Sequence, residues 1–343
     1  MRAHVLSMSE VLLEVNDLKV HFPVHEGIVW RKQVASVKAV DGVSFNLHKG
    51  ETLSLVGESG CGKSTTALAV LRMLHVTDGQ IIFADRDITH LSGKSMRPYR
   101  KQMQMVYQDP YGSLNPRMKV RDIIGEPLKI HKASLTKQAL RNRVAELMAL
   151  VGLLPGMIER YPHEFSGGQR QRIGIARALA LDPELLICDE AVSALDVSIQ
   201  AQVINLLKSL QAELGLTYLF ISHDLSVVRH VSDRIAVMYL GQIVETKPRD
   251  TLFAQPEHPY TQTLLDAVPA ANPELEASRP QPLIIGEVPS VRNPPPGCRF
   301  HPRCIRAREV TPAGLCSHTP PPNVSSGQGR VACHLMDNTG GCR

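Results

Sequence analysis

Nine consecutive residues have the types and spacing of a phosphate-binding loop. They follow the pattern G-x-x-x-x-G-K-S/T, in the run Gly57, Glu58, Ser59, Gly60, Cys61, Gly62, Lys63, Ser64 and Thr65. Glycines in such a loop permit tight turns that point backbone N–H groups at phosphate oxygens, and the lysine neutralises phosphate charge. A predicted strand precedes the run and a predicted helix follows it, which is the context the motif needs. The run therefore predicts binding of a nucleoside triphosphate, with Ser64 reaching Mg²⁺.

Two acids end a later strand. The apolar run at residues 185–188 leads directly into Asp189 and Glu190. A buried strand of this kind delivers both carboxylates to one edge of the sheet, where the phosphate loop is also expected. We expect Asp189 to hold Mg²⁺ and Glu190 to orient and polarise the attacking water. Two solvated acids at a strand end are the alternative.

A Ser-Gly-Gly-Gln turn precedes that acidic strand and opens a predicted helix. It consists of Ser166, Gly167, Gly168 and Gln169. Backbone N–H groups at a helix start, together with the serine hydroxyl, are suited to bind anionic oxygen. In a chain that also has a phosphate loop, this turn indicates one particular class of nucleotide-binding protein.

Two single polar residues follow apolar runs elsewhere in the chain. Gln108 comes after residues 103–107, where it could touch Mg²⁺ or the attacking water. His223 ends the strand predicted at 218–222, and a neutral imidazole there can hydrogen-bond the γ-phosphate. A polar loop residue and a structural histidine are the respective alternatives.

The elements that must position these residues alternate between strands and helices. Continuous apolar strands between helices indicate a mostly parallel sheet that is covered on both faces. Residues from about 95 to 180 have a helical pattern, which predicts a helical insertion. Residues 26–36 are expected to form a surface loop, and proline-rich residues after about 245 an extended appendage. Strands are predicted at 18–22, 43–47, 52–55, 80–83, 185–188, 218–221 and 234–240, and helices at 64–74 and 198–214.

The composition is that of a globular protein. The 343 residues are 43% hydrophobic and 21% charged, with a net charge of +5. This mild charge, without a concentrated basic stripe, argues against a nucleic-acid partner. No uncharged apolar run reaches the roughly 18–20 residues of a membrane helix, and acids interrupt any secretory signal at Glu10 and Glu14. We therefore expect a cytosolic protein.

The order and spacing of the motifs carry a family resemblance. The chain resembles the nucleotide-binding subunits of ABC transporters over about residues 11–245. Finer matches at residues 107–117, 192–198 and 258–261 are similar to the dipeptide/oligopeptide permease group, and the likeness is greatest to the second ATPase subunit of dipeptide permeases. Ala191 departs from the proline usual in relatives. The motifs, in order, are the phosphate loop at 57–65, Gln108, the turn at 166–169, Asp189 with Glu190, the run 193–196 and His223.

The resemblance implies a P-loop NTPase fold of the ABC type, in the α/β class, with a mixed sheet and a helical insertion. It places the nucleotide-binding domain at 1–245, with the helical subdomain at about 95–180, a proline-rich C-terminal extension at 246–297 and a cysteine-rich tail at 298–343. It also implies that Phe22 stacks on adenine. Ser166, Gly168 and Gln169 would contact ATP held by a partner domain, and Asp196 would couple the two sites.

The family further implies an importer subunit at the cytoplasmic face of the inner membrane, bound peripherally. Its partners would be a second homologous ATPase subunit in a heterodimer, two transmembrane permease subunits and, indirectly, a solute-binding protein. The expected function is hydrolysis of ATP, with Mg²⁺, to drive uptake of di- and oligopeptides. The alternatives are the same role in a nickel or other small-solute importer, and a non-transport ABC ATPase.

Five of the seven cysteines crowd the end of the chain, at positions 298, 304, 316, 333 and 342. In a reducing cytosol such crowding suggests metal binding or unused thiols. Cys298, Cys304, Cys316 and Cys333 resemble a tail of this subfamily that binds a four-iron, four-sulfur (4Fe–4S) cluster, with Cys342 as the alternative to Cys316. A zinc site and four free thiols are the other interpretations.

Overall fold

A computed structural model describes residues 10–26, 32–131, 135–267, 286–309, 314–327 and 329–336. They fall into two units. The first unit draws on the ranges Met1–Leu13, Asn46–Thr52 and Phe83–Ser222. The second draws on Glu14–Phe45, Leu53–Ile82 and His223–Arg343. Cys342 lies outside the described residues.

The strands, in chain order, are β1 (Val11–Glu26), β2 (Lys32–His48), β3 (Thr52–Val56), β4 (Asp78–Phe83), β5 (Arg86–Asp87), β6 (Met103–Val106), β7 (Leu185–Asp189), β8 (Thr217–Ser222), β9 (Arg234–Tyr239), β10 (Gln242–Pro248), β11 (Asn323–Ser326) and β12 (Gly329–Ala332). The α-helices are α1 (Lys63–Val70), α2 (Gly93–Gln102), α3 (Val120–His131), α4 (Lys137–Leu150), α5 (Gly167–Leu179), α6 (Val197–Leu214), α7 (Leu225–Val231), α8 (Arg249–Ala254), α9 (Pro259–Asp266), α10 (Ile305–Glu309) and α11 (Leu315–His318). Short 3-10 helices lie at Pro155–Met157, Pro162–Glu164, His301–Arg303 and His334–Met336.

Three parallel strands form the centre of the first unit, in the order β6-β7-β8. Every residue of β7 and of β8 is buried. This follows from their continuous apolar sequences, which suit a strand covered on both faces. Asp189, at the carboxyl end of β7, lies opposite Ile221 of β8 and is buried.

Helices α3, α4 and α5 of the first unit pack against one another, and α5 also contacts β6 and α6. Apolar side chains on one face of each helix, such as Ile123, Val144 and Ile173, fill the space between them. The segment 103–106 differs from the helical pattern expected from about 95 to 180. It forms β6, because its buried Met103, Met105 and Val106 lie along β7.

The second unit contains a mixed arrangement of strands. Strand β3 pairs in parallel with β9, and β10 pairs antiparallel with both β9 and β12, while β11 and β12 form a hairpin. In a separate sheet β1 lies between β2 and β4. The expected surface loop at 26–36 is wrong in part, since Glu26 ends β1 and residues 32–36 lie in β2. Residues 27–31 lie outside the described residues.

The C-terminal residues are more structured than the expected extended appendage. Proline stands at the first position of α9, where a missing N–H costs nothing. Rings of Tyr239, Tyr260 and Phe300 lie 4.6 to 5.4 Å apart and join a buried cluster with Leu252 and Cys304. Helices α8 and α9 thus share a core with β9. Within the part of the chain described, no helix is both long and apolar enough to cross a membrane.

Candidate functional site

The phosphate loop connects β3 to α1 in the second unit. Its backbone conformation requires glycine at two positions. Gly57 has φ 154° and Gly62 has φ 110°. A Cβ at Gly57 would lie 2.1 Å from the Met238 carbonyl oxygen, and one at Gly62 would lie 2.2 Å from that of Ala39. No side chain fits at either position, so the loop keeps its backbone N–H groups close to any bound anion.

Lys63 lies at the centre of this loop. Its buried ammonium donates to the carbonyl oxygens of Gly57, at 2.8 Å, and Glu58, at 2.9 Å. Burial raises the pKa of the neighbouring Cys61 thiol, which keeps it neutral. Ser64 is exposed in the first turn of α1, where unpaired backbone N–H groups favour a negative charge.

Glu58 is held by two residues of the C-terminal region that the sequence analysis missed. Its backbone N–H donates to the Tyr260 hydroxyl at 2.9 Å. Its carboxylate accepts two hydrogen bonds from the Arg303 guanidinium, at 2.9 and 3.0 Å. The sequence signal that could have indicated such a partner is Glu58 itself, because an acid within a phosphate-binding loop needs a nearby cation.

The predicted acids of the first unit lie together with Gln108. The Gln108 side-chain amide donates to a Glu190 carboxylate oxygen at 2.7 Å. Glu190 has φ 47°, a left-handed conformation that is rare for a residue with a side chain, and its N–H donates to Ile221. Backbone strain of this kind concentrates at functional sites. Next to the pair lies a cavity of about 520 Å³, lined by Tyr107, Gln108, Asp109, Gly112, Ser113, Arg177 and Asp189.

The Ser-Gly-Gly-Gln turn opens α5 as a capping box. The Ser166 hydroxyl accepts from the Gln169 N–H at 3.3 Å, and the Gln169 side chain accepts from the Ser166 N–H at 3.0 Å. Gly168 is buried, and a Cβ there would lie 2.5 Å from Cγ2 of Ile199 in α6. The turn therefore presents a rigid helix start whose serine is exposed.

Three further predicted residues are exposed. Asp196 is the N-cap of α6 and makes no side-chain cap, and the adjacent Val197 is 82% exposed. His223 follows β8, and Phe22 lies in β1 with 40% of its surface exposed. Phe22 and His223 belong to the second unit with the phosphate loop, and Asp196 belongs to the first.

The four cysteines of the predicted tail site line one small cavity in the second unit, which we call the thiol cavity. Cys298, Cys304, Cys316 and Cys333 line it beside His258, Phe300 and His301 among other residues, and none of the four is in a disulfide among the described residues. Backbone N–H groups point at three of the sulfurs, from Phe300 to Cys298, from Arg306 and Ala307 to Cys304, and from Leu335 to Cys333.

The electrostatics of the thiol cavity set what it can bind. Burial raises the pKa of Cys298 to about 12 and that of Cys333 to about 11, so both are neutral thiols at pH 7. Their N–H donors favour the thiolate form that binding a metal requires. Among the described residues, no group of three His, Cys, Asp or Glu side chains is arranged to hold a metal ion.

Two family models match the chain. The family model of the ABC transporter matches residues 40–193, and that of the oligopeptide/dipeptide transporter C-terminal region matches residues 244–310. The oligopeptide transport ATP-binding protein OppF of Salmonella typhimurium is 51% identical over 334 residues, covering 97% of this chain and 98% of its own. AppF of Bacillus subtilis is 54% identical over 328 residues (95% and 98%), and the dipeptide transport protein DppF of Escherichia coli is 48% identical over 331 residues (96% and 96%).

Solved structures share the fold. The ATP-binding cassette MJ0796, in a dimeric post-hydrolysis state bound to ADP and Pi, is 25% identical with a TM-score of 0.62, covering 69% of this chain and 99% of its own. CbiO1 from Clostridium perfringens, part of the cbiONQ ABC transporter complex, also has 25% identity and a TM-score of 0.62, covering 78% and 98%. The chain belongs to the ABC transporter ATPases, in the family of ATP-binding proteins that carry the oligopeptide/dipeptide transporter C-terminal region.

Proposed function

We propose that this ABC ATPase drives an importer of di- and oligopeptides. The main structural support for ATP hydrolysis is the contact between Gln108 and Glu190 at the carboxyl end of β7. This contact lies beside a cavity lined by Asp189. The substrate class is supported by the names of the relatives and by the C-terminal family match. Nickel or another small solute is the competing cargo.

In this proposal the predicted residues of each unit have their own task. Phe22 stacks on the adenine of ATP, while Lys63 and the N–H groups of residues 57–65 bind its phosphates. Ser64, Gln108 and Asp189 are the residues that would hold Mg²⁺, which when bound would withdraw charge from those phosphates. The set fits the ion, since a hydroxyl, an amide oxygen and a carboxylate are all hard oxygen donors.

Glu190 is the general base that orients the attacking water, and Gln108 holds its carboxylate in place through the 2.7 Å hydrogen bond. His223 hydrogen-bonds the γ-phosphate. The start of α5, with Ser166, Gly167, Gly168 and Gln169, stabilises charge on ATP held by a partner domain. Asp196 couples the two sites.

Such a task for α5 requires a dimer. We assign the partner to a second homologous ATPase subunit, with two transmembrane permease subunits above the dimer and a solute-binding protein on the far side. The location that follows is the cytoplasmic face of the inner membrane. The dimeric form of the MJ0796 cassette supports the pairing of two ATPase domains.

The catalytic assignment is tested with Glu190→Gln in the assembled transporter. Steady-state ATP hydrolysis should fall by at least about 100-fold, because the general base is lost, while ATP binding stays near the wild-type level. The matched control is Glu213→Gln on the exposed face of α6, which should hydrolyse ATP normally. Near-normal turnover by the Glu190 variant would refute the assignment.

The cargo is tested separately. In liposomes containing the complete transporter and its solute-binding protein, di- and oligopeptides should stimulate ATP hydrolysis. Stimulation by nickel but not by any peptide would reject the peptide assignment and leave the ATPase assignment intact.

The thiol cavity is assigned to a 4Fe–4S cluster. Four cysteines suit such a cluster, and N–H groups that point at the sulfurs stabilise thiolates. Zinc would need its ligands drawn into one tight tetrahedron, with Zn–S bonds of about 2.3 Å.

Anaerobically purified protein should contain about four iron and four sulfide per chain. Cys304→Ser should remove most of both, whereas Cys188→Ala, at a buried thiol of β7, should remove neither. Iron-free protein that carries one tightly bound zinc, or no metal at all, would contradict the assignment.

A further inference from the structure

We infer that Arg303 is a positioning residue for nucleotide binding, whose guanidinium neutralises the acid built into the phosphate loop. The inference concerns ATP affinity and does not depend on the transported solute. It gives the C-terminal region a direct part in the nucleotide site of the same chain.

The contact has the geometry of a strong ion pair. Nη1 of Arg303 donates to one Glu58 oxygen at 2.9 Å, and Nη2 donates to the other at 3.0 Å. The Arg303 side chain is 6% exposed and that of Glu58 is 26% exposed. Paired bonds of this kind fix the carboxylate in both position and orientation.

The guanidinium is itself held in place. Its carbon lies 5.8 Å from the ring centre of Tyr239 and 5.9 Å from that of Phe300, and Nη1 also donates to the Tyr239 hydroxyl at 3.4 Å. Both rings belong to the core that α9 and the 3-10 helix His301–Arg303 share with β9. Because these contacts come from folded elements, little rotamer freedom remains to be lost when the pair forms.

The position of Glu58 explains why the pair matters for phosphate. It follows Gly57, and Lys63 donates to the carbonyl oxygens of both residues. An unpaired carboxylate here would repel a triphosphate and attract the Lys63 ammonium away from it. With both oxygens occupied by Arg303, the net charge beside the loop favours an anion.

Tyr260 fixes the same residue through its main chain. Its hydroxyl accepts from the Glu58 N–H at 2.9 Å. Burial raises the pKa of Tyr260, so the hydroxyl stays neutral and adds no charge. Glu58 is thus held at its peptide by α9 and at its carboxylate by Arg303, and its side chain cannot turn toward the phosphates.

The decisive experiment compares charge removal on each side of the pair. Equilibrium titration of the full-length protein with a fluorescent ATP analogue and Mg²⁺ gives Kd, and the assembled transporter gives KM and kcat. Arg303→Gln should raise Kd and KM by about tenfold, because Glu58 is left unpaired, with kcat nearly unchanged. Glu58→Gln alone should bind the analogue at least as tightly as wild type.

The double variant Glu58→Gln with Arg303→Gln distinguishes two roles of Arg303, which are neutralising the charge of Glu58 and supporting the loop structurally. If Arg303 acts on charge, removing the acid restores Kd to within about twofold of wild type. A double variant as weak as Arg303→Gln, or a Glu58→Gln that is itself tenfold weaker, overturns the inference. The Glu58→Gln result decides the matter even if Arg303→Gln fails to fold.

Arg249→Gln is the matched control. Arg249 is the first residue of α8 and, like Arg303, pairs with an acid, the exposed Asp250. Among the contacts that the structure describes, it has none with the phosphate loop. Its Kd should equal that of wild type. An equal loss in this control and in Arg303→Gln would show a general effect of lowered positive charge and would overturn the inference.

Discussion

At the scale of single residues, two glycines of α5 have opposite surroundings although both lie in one helix. A Cβ at Gly168 would meet Ile199, whereas a Cβ at Gly174 would have no neighbour within 4 Å. Ile199 is β-branched, so its side chain has little freedom to move aside within α6. The two positions therefore form a natural pair for comparison.

We expect Gly168→Ala to lower the free energy of unfolding by about 1–3 kcal/mol, because the methyl group overpacks the contact between α5 and α6. Gly174→Ala should raise the same quantity by up to about 1 kcal/mol, since alanine favours a helix. Urea unfolding of the two variants measures both. Equal effects at the two positions would show that the Ile199 contact does not limit Gly168.

Residue types were more predictable than residue partners. The glycines, Lys63 and the pair Asp189–Glu190 follow from local pattern and chemistry alone. The partner of Glu58 does not, since Arg303 lies 245 positions later and only the folded chain brings the two together. No periodicity or motif encodes that distance.

At the scale of elements, a buried ionic network ties the α8–α9 connection to β10. Lys247 in β10 pairs with Glu245 at 3.2 Å and with Glu257 at 2.8 Å, and donates to the Gln255 carbonyl. Glu245 in turn accepts from the N–H groups of Glu257 and His258. The network sets the start of α9 and, through it, the place of Tyr260.

Lys247→Met should therefore destabilise the protein by about 3–5 kcal/mol, because it leaves two carboxylates without their cation. Lys19→Met is the control, since Lys19 also bridges two carboxylates, Asp17 and Asp78, but both of these are 66% exposed. Thermal unfolding should find the control close to wild type. If both variants lose the same stability, burial of the network does not increase its contribution to the free energy of unfolding.

Elements with a continuous or periodic apolar pattern were predicted better than the others. Strands β7, β8 and β9 and helix α6 are continuous or periodic enough to stand out. The four residues of β6 were absorbed into a helical region. The hairpin of β11 and β12 was missed, because proline-rich sequence precedes two short strands that are held by pairing, β11 with β12 and β12 with β10.

At the scale of the whole molecule, one buried histidine makes stability depend on pH. Burial lowers the pKa of His258 to about 3, and its Nδ1 accepts from the Tyr260 N–H at 3.1 Å. The unfolded chain takes up this proton near pH 6.5, whereas the folded chain does not until about pH 3. Stability is therefore complete above pH 6.5 and is lost as the pH falls from there toward 3.

The free energy of unfolding should fall by up to about 1.4 kcal/mol per pH unit below pH 6 from this group alone. His258→Asn keeps a side-chain acceptor at the N-cap of α9 but cannot titrate. Denaturant unfolding at pH 7, 6 and 5 should give a shallower slope for the variant. An unchanged slope would assign the acid sensitivity to other groups.

The ion pair between Glu58 and Arg303 also has a consequence in time. A ribosome that has added Glu58 must add 245 further residues before the partner of Glu58 exists. At about 5–20 residues per second this interval is on the order of ten to fifty seconds. During it the nascent loop lacks the cation that pairs with Glu58, so on our inference the growing chain should bind nucleotide weakly until Arg303 has emerged.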